Sequence, residues 1–174
     1  MTTGTLNPRL HEIVEEFGAV PGNERLQLLL EFSEELPALP ARYAGHRDLL
    51  EQVPECQTPL FLAVEVDGGG TVHLFFDAPP ESPTTRGFAG ILHAGLDGLN
   101  ADEVLATPGE FVGQLGLNDV VSPLRLRGMA AMLVPRQATF ARRSLGLAAP
   151  RRDLAGAGGS RGIAPFSAPL PAAS

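Results

Sequence analysis

Two apolar runs with a two-residue period, joined by a glycine-rich turn, constrain the fold of this chain most. In the first run the residues of one face are all apolar: Leu60, Leu62, Val64 and Val66. The second run, over residues 72–76, repeats the alternation after the turn Asp67-Gly68-Gly69-Gly70. This pattern predicts an antiparallel hairpin. Because two strands alone are marginally stable in water, we expect a third strand and a covering layer of helices.

Helical periodicity brackets the hairpin on both sides. A first helix is predicted after Asn7, with Pro8 in its first turn, and a second after the turn at residues 21–23. Beyond the hairpin, apolar spacing predicts a helix from Thr84 to about Leu99. Three further helices are predicted to begin at polar cap residues: Asn100, Thr107 and Ser122. The order of helices, hairpin and helices predicts an α+β domain with a small antiparallel sheet.

Composition excludes several classes of function. The net charge of −7 argues against general nucleic-acid binding, which needs a basic surface. No apolar run approaches the roughly 20 residues of a membrane-spanning helix, and residues 1–5 resemble neither a signal nor a transit peptide. All 13 basic residues are arginine, which excludes Schiff-base lysine chemistry. We therefore expect a cytoplasmic protein without membrane or nucleic-acid partners.

Cofactor and metal sites lack the residues that they need. The single cysteine, Cys56, cannot form an intramolecular disulfide or a cysteine-based zinc site. The four histidines show no ligand spacing. A G-x-S-x-G match at residues 158–162 lies in a low-complexity segment without the flanking strand and helix of a nucleophile elbow. We expect no bound metal and no resident cofactor.

Charge is segregated along the chain. Residues 1–55 carry a net −6, residues 56–120 a net −8 and residues 121–174 a net +7. The basic segment could pack on an acidic face of the same chain, or could bind an acidic partner or an anion. After about residue 147 the composition turns to alanine, glycine, proline, serine and arginine. We predict one folded domain over residues 1–147 and a disordered tail over 148–174.

Cys56 is the candidate reactive residue. It could be a small buried hydrophobe, as lone cysteines often are. Its neighbours instead suggest a polar loop, since it lies between Glu55 and Gln57 just before the first strand. A thiol reacts as the thiolate, and Glu55 is expected to raise its pKa, so a positive group is needed nearby. Arg125 and Arg127 fall near the start of the last helix, where cations are locally unfavourable, and either could supply that charge or pair with an acid of the body.

Four segments give the chain a family resemblance over about residues 7–145. They are Val53-Pro54-Glu55-Cys56-Gln57-Thr58, the acidic loop 77–83 leading into Arg86-Gly87-Phe88, the segment 111–117, and Ser122-Pro123-Leu124-Arg125-Leu126-Arg127-Gly128-Met129. In this order they resemble the SufE-type sulfur acceptors of iron–sulfur cluster assembly. The resemblance implies a three-stranded antiparallel sheet with helices on one side, similar to the scaffold protein IscU. It departs from the family pattern at Glu55, where glycine is common.

The resemblance also implies a function and a site. Such proteins dock on a SufS-type cysteine desulfurase, whose pyridoxal phosphate belongs to that partner, and pass sulfur on to a cluster-assembly scaffold. Cys56 would carry the sulfur as a persulfide and Arg125 would correspond to the motif arginine. Asp77 or Glu81 would be the loop acid, and Arg127 a further binding residue. The protein would be a sulfurtransferase-type accessory protein, monomeric or weakly dimeric.

The residues are also compatible with a different class of function. One cysteine is sufficient for a sulfur carrier, because persulfide transfer is an exchange at sulfur. It is insufficient for a cluster scaffold, which needs several thiolate ligands. The alternative is a regulatory module that binds a desulfurase without accepting sulfur, with Cys56 as a structural residue. For a carrier, we expect Cys56 to be partly sheltered when no partner is bound.

Overall fold

The computed structural model describes residues 5–53 and 58–131. The regular elements within these ranges are α1 (Pro8–Ala19), α2 (Gly22–Glu35), β1 (Glu51–Gln52), β2 (Phe61–Val66), β3 (Val72–Asp77), α3 (Pro83–Leu96), α4 (Ala101–Ala106), α5 (Phe111–Gln114) and α6 (Pro123–Ala131), with single 3-10 turns at Arg47–Leu49 and Leu117–Asp119. Cys56 and the predicted tail, residues 148–174, lie outside the described residues. The α+β class predicted from the sequence is confirmed.

The sheet is antiparallel with strand order β1-β2-β3. The hairpin pairs Phe61 with Asp77 at one end and Val66 with Val72 at the other. The Asp67 carboxylate holds its turn by accepting hydrogen bonds from the backbone N–H groups of Gly69 and Thr71. The expected third strand is β1, two residues long and paired with the start of β2. Its place in the chain was not predictable, because two exposed residues carry no period.

Helices cover one face of the sheet. Alternate residues of the hairpin point into this layer and are buried: Leu62, Val64, Val72, Leu74 and Phe76. α3 lies at the centre of the helical layer. Its residues Phe88, Ile91 and Leu92 are buried, as their spacing predicts. α1 and α2 pack on α3, so the core lies between the sheet and three helices.

Two helix boundaries differ from the sequence prediction. α3 ends at Leu96, not near Leu99, because the following residues pair with the edge of β3. The Asp97 carboxylate accepts a hydrogen bond from the Leu74 N–H at 2.7 Å, and the Val72 N–H donates to the Leu99 carbonyl at 2.8 Å. Thr107 was expected to cap a helix but does not.

The Thr107 hydroxyl donates to the Glu103 carbonyl of the preceding helix at 3.0 Å. The backbone then turns through residues 108–110, and α5 begins after Glu110 without a side-chain cap. The threonine therefore closes α4, whose own start is the predicted capping box of Asn100 and Glu103.

The other face of the sheet is covered by side chains of the segment that follows α2. Arg42 bonds both carboxylate oxygens of Glu65, and the Tyr43 hydroxyl donates to the same carboxylate. Tyr43 and the Arg42 guanidinium both pack on the ring of Phe75. We call these residues, Arg42, Tyr43, Glu65 and Phe75, the outer-face cluster.

Candidate functional site

The described residues on either side of Cys56 form a narrow, buried base for the loop that contains it. The Val53 N–H donates to the Leu60 carbonyl at 2.9 Å, which continues the pairing of β1 with β2. Val53 is 1% exposed and Leu60 is fully buried. The chain is thus fixed in the core at Val53 before segment 54–57 and at Leu60 after it. Cys56 itself lies outside the described residues, so its predicted partial shelter stays a prediction.

A hydroxyl pair ties the returning end of this loop to helix α3. Ser82 Oγ donates to Thr58 Oγ1 at 3.1 Å, and the pair is partly buried. Ser82 is the N-cap residue of α3, and Pro83 follows it in the first turn. Thr58 is two residues from Cys56 in the chain. The start of α3 is therefore the part of the core directly linked to the cysteine loop.

Arg125 reaches the same turn of α3 from helix α6. Its Nη1 donates to Thr84 Oγ1 at 3.3 Å, and its backbone N–H donates to Ser122 Oγ at 3.4 Å, as expected for the predicted cap. The side chain is exposed. One sequence hypothesis paired Arg125 with an acid of the body, but it forms no ion pair with residues 5–53 or 58–131. Within the described residues its charge is unpaired, at the turn of α3 that also holds the loop stem.

Arg127 lies two residues beyond Arg125 and points elsewhere. Its Nε is 3.5 Å from the Pro123 carbonyl of its own helix, and no carboxylate within the described ranges pairs with it. Leu124, between the cap and Arg125, is 50% exposed. The start of α6 therefore presents two cations and an apolar side chain on the surface.

The two candidate loop acids have different surroundings. Asp77 forms an ion pair with Arg47 at 2.7 Å, and the Arg47 guanidinium also lies over the ring of Phe61. Glu81 is exposed and has no ion-pair partner among residues 5–53 and 58–131. Glu81 also directly precedes Ser82. Of the two acids, Glu81 is free to meet a partner, whereas Asp77 is engaged within the fold.

Arg86 organises the site from beneath, a role that the sequence analysis missed. Its guanidinium donates to the carbonyl oxygens of Ser33 at 2.9 Å and Ala78 at 3.2 Å, with a longer bond to Leu36 at 3.5 Å. These bonds fix the end of α2 and the loop after β3 to the first turn of α3. A signal was present, since Arg86 is the only basic residue between Cys56 and Val120 apart from histidine.

The arrangement brings three of the predicted site elements to one place. The stem of the cysteine loop, the acid-bearing loop and the Arg125 helix all meet at the first turn of α3, through Thr58, Ser82 and Thr84. These hydroxyl residues had no distinguishing sequence signal beyond the Ser82-Pro83 helix start. Within the described part of the chain, no cluster of three histidine, cysteine, aspartate or glutamate side chains could hold a metal ion.

Comparison with known proteins identifies the family. A family model described as "SufE: Fe-S metabolism associated domain" matches residues 11–139. The chain belongs to the SufE family. The matched range contains the five site residues predicted from the sequence: Cys56, Asp77, Glu81, Arg125 and Arg127. Membership links the chain to iron–sulfur metabolism.

Relatives with SufE-like names support the assignment. Two SufE-like proteins from strains of Mycobacterium tuberculosis, both named uncharacterized, are 55% identical over 124 residues, which cover 71% of this chain and 85% of theirs. SufE-like protein 1 of Arabidopsis thaliana, named chloroplastic/mitochondrial, is 28% identical over 129 residues, 74% of this chain and 33% of its own length.

A solved structure supports the fold. The solution structure of a hypothetical protein from Thermus thermophilus matches with a TM-score of 0.70 and 40% identity. The match covers 82% of this chain and 99% of that protein. Among the helices in the described ranges, none is both long and apolar enough to cross a membrane.

Proposed function

We propose that this SufE-family protein accepts persulfide sulfur from a SufS-type cysteine desulfurase onto Cys56, stimulates that enzyme and passes the sulfur to a cluster-assembly scaffold. The observation that supports this most is the meeting of the cysteine-loop stem, the acid-bearing loop and α6 at the first turn of α3. There the stem of the cysteine loop and the exposed cation of Arg125 contact neighbouring hydroxyls, Ser82 and Thr84. A carrier needs an anion-compatible position for one sulfur, and the Arg125 cation at this turn supports that role.

The transfer step needs only one nucleophile. The Cys56 thiolate attacks the outer sulfur of the persulfide on the desulfurase, a new S–S bond forms, and the enzyme's cysteine leaves as thiolate. No external oxidant or reductant is consumed, because the sulfane sulfur only changes its bonding partner. Arg125 favours the anionic forms of Cys56 through its charge. Pyridoxal phosphate belongs to the partner enzyme, and this chain contributes the acceptor thiolate of Cys56.

The docking surface follows from the charges left free. Glu81, Arg125 and Arg127 are exposed and without ion pairs within the described ranges. Glu81 directly precedes Ser82, and the two arginines lie at the start of α6. A partner with complementary charges would orient on these three side chains. The exposed Leu124, next to Arg125 in the chain, would provide apolar contact. We expect binding as a monomer or weak homodimer in the cytoplasm, where thiols are kept reduced.

Intact-mass spectrometry tests the proposal. The protein is incubated with a SufS-type desulfurase, pyridoxal phosphate and cysteine. We expect a gain of one sulfur atom in the wild type, reversed by reductant and absent in Cys56→Ala. Cys56→Ser is the matched control, because it keeps the size of the side chain and loses the nucleophile.

Two results would oppose the carrier role. Full stimulation of the desulfurase by Cys56→Ala, without any sulfur gain in the wild type, would support the regulatory module with a structural cysteine. A mass gain that persists in Cys56→Ala would place the sulfur elsewhere on the chain.

A further inference from the structure

Ser82 does not make the hydrogen bond that its position calls for. A serine at the N-cap of a helix normally accepts a hydrogen bond from a backbone N–H of the first turn. Asn7, Asn100 and Ser122 do so at the starts of α1, α4 and α6. Ser82 makes no such cap bond to α3, and the hydrogen bond its side chain makes is a donation to Thr58. A local rule set aside in this way points to another use of the side chain.

We propose that the Ser82–Thr58 pair is a positioning contact for the sulfur transfer on Cys56. The inference rests on the proposed function and assigns a role to two residues that had none in the sequence analysis or the family match. Ser82 and Thr58 do not touch the reacting sulfur. They fix the stem from which the cysteine loop departs, and so restrict where the thiol can be presented.

The geometry of the stem makes this contact decisive. The base of the loop is held by the Val53–Leu60 backbone bond. Above it, Pro59 is exposed and has no N–H to donate. Among the described residues, the Thr58 side chain joins this end to the start of α3. Two residues span at most about 7 Å. The Ser82 contact therefore fixes the chain at a point two residues after Cys56.

The other end of the contact is anchored. Ser82 begins α3, whose next turn is buried against α2. Arg86 holds the preceding loop through the carbonyl of Ala78. Because α3 is fixed by its packing, it does not depend on a cap bond from the Ser82 oxygen, and the Ser82 hydroxyl donates its hydrogen to Thr58. The contact thus ties the stem of the cysteine loop to a rigid element.

Hydroxyl deletions test the contact. Ser82→Ala and Thr58→Val each remove one partner with little change in size, and the double variant removes both. Three quantities are measured on the full chain: the rate of Cys56 alkylation by iodoacetamide, kcat and KM for sulfur transfer, and Tm. Thr85→Val is the matched control, since its hydroxyl bonds none of residues 5–53 and 58–131.

We expect either single variant to raise the alkylation rate by roughly fivefold, the effect of one lost hydrogen bond on a local equilibrium. Transfer kcat should fall by a similar factor with Tm almost unchanged. The double variant should match the singles, because both remove the same bond. Ser82→Thr keeps the hydroxyl and should therefore keep the wild-type alkylation rate and kcat.

Distinct outcomes overturn the two proposals. The positioning contact would be overturned if both single variants kept the wild-type rates of alkylation and sulfur transfer. Additive effects in the double variant would also overturn it. A fall in Tm that accounts for the changed rates would also overturn it, because the hydroxyls would then be structural. Absence of sulfur on wild-type Cys56 would overturn the carrier function, while the alkylation rates would still judge the contact.

Discussion

Single side chains determine how the loops of this protein are held together. The guanidinium of Arg86 donates hydrogen bonds both to a carbonyl of α2 and to a carbonyl of the loop after β3. A lysine ammonium cannot reproduce this planar set of N–H donors. Both of the closer acceptors of Arg86, on Ser33 and Ala78, belong to buried residues. Removing the donor leaves these carbonyls without it, which costs more than the bonds themselves contribute. Arg86 thus supports the structure of the site and is not assigned a step in the proposed sulfur transfer.

Replacement of Arg86 should therefore destabilise the whole domain. We expect Arg86→Met, which keeps the aliphatic stem, to lower the free energy of unfolding by about 3 kcal/mol. Arg86→Lys should recover only part of this loss, since an ammonium cannot serve two separated carbonyls in plane. Urea unfolding measures the difference, with Arg9→Met on the exposed surface of α1 as the control, expected to cost about 0.5 kcal/mol or less. A loss for Arg86→Met no larger than for the control would contradict the role.

At the scale of elements, the α2–α3 pair is built on backbone contact. Gly87 and Gly90 lie one turn apart on α3 and face the backbone of α2. A Cβ at Gly87 would overlap the carbonyl oxygen of Leu29, and one at Gly90 that of Phe32. Glycine usually weakens a helix interior, so its presence here shows that close approach outweighs propensity. This approach also brings Arg86 within reach of the end of α2.

The substitution Gly90→Ala should separate the two helices. Overpacking costs about 1–3 kcal/mol, while the better helix propensity of alanine returns at most about 1 kcal/mol. We expect a net destabilisation near the upper part of that range, because the obstacle is backbone. Gly18→Ala on α1 is the matched control: nothing lies within 4 Å of its added Cβ. It should raise stability by a few tenths of a kcal/mol or more, as thermal unfolding would show. Equal effects of the two variants would contradict this packing.

At the scale of the whole molecule, both faces of the sheet are covered, but by different physics. Helices bury apolar side chains on one face, and the outer-face cluster joins charges and rings on the other. Hydrogen bonds from Tyr43 and then from Arg42 hold the pKa of Glu65 below its ordinary value. Burial and then the Glu65 hydrogen bond raise the pKa of Tyr43. The cluster thus makes the stability of the molecule depend on pH.

The sign follows from the direction of the Glu65 shift. A carboxylate with a lowered folded pKa stabilises the fold above its unfolded value, ordinarily 4.5, and the contribution is lost as pH falls through the folded value. We expect Glu65→Gln to be less stable than wild type at pH 7, with the difference shrinking as the pH falls below the ordinary carboxyl pKa. Urea unfolding across this range measures it. Glu16→Gln, an exposed change on α1, is the control, and a pH-independent difference for Glu65→Gln would argue against the cluster.

Local chemistry made much of the architecture predictable. The alternation of apolar residues predicted the hairpin and the face that it buries. The cap residues Asn7, Asn100 and Ser122 marked three helix starts. β1 was not predictable in place, because two exposed residues acquire strand geometry only by pairing with β2. The role of Thr107 was mistaken because one threonine can serve the helix before it or the helix after it.

The candidate site divides in the same way. The sequence by itself determined the α+β class, the lone cysteine before the hairpin and the arginine at the start of α6, because period, composition and caps act over a few residues. Only the tertiary structure decided that Asp77 is engaged by Arg47, while Glu81 has no ion-pair partner among the described residues, and that the Ser82 side chain donates to Thr58 and does not cap α3. These contacts join residues far apart in the chain, and nothing local encodes which partner will be within hydrogen-bonding distance.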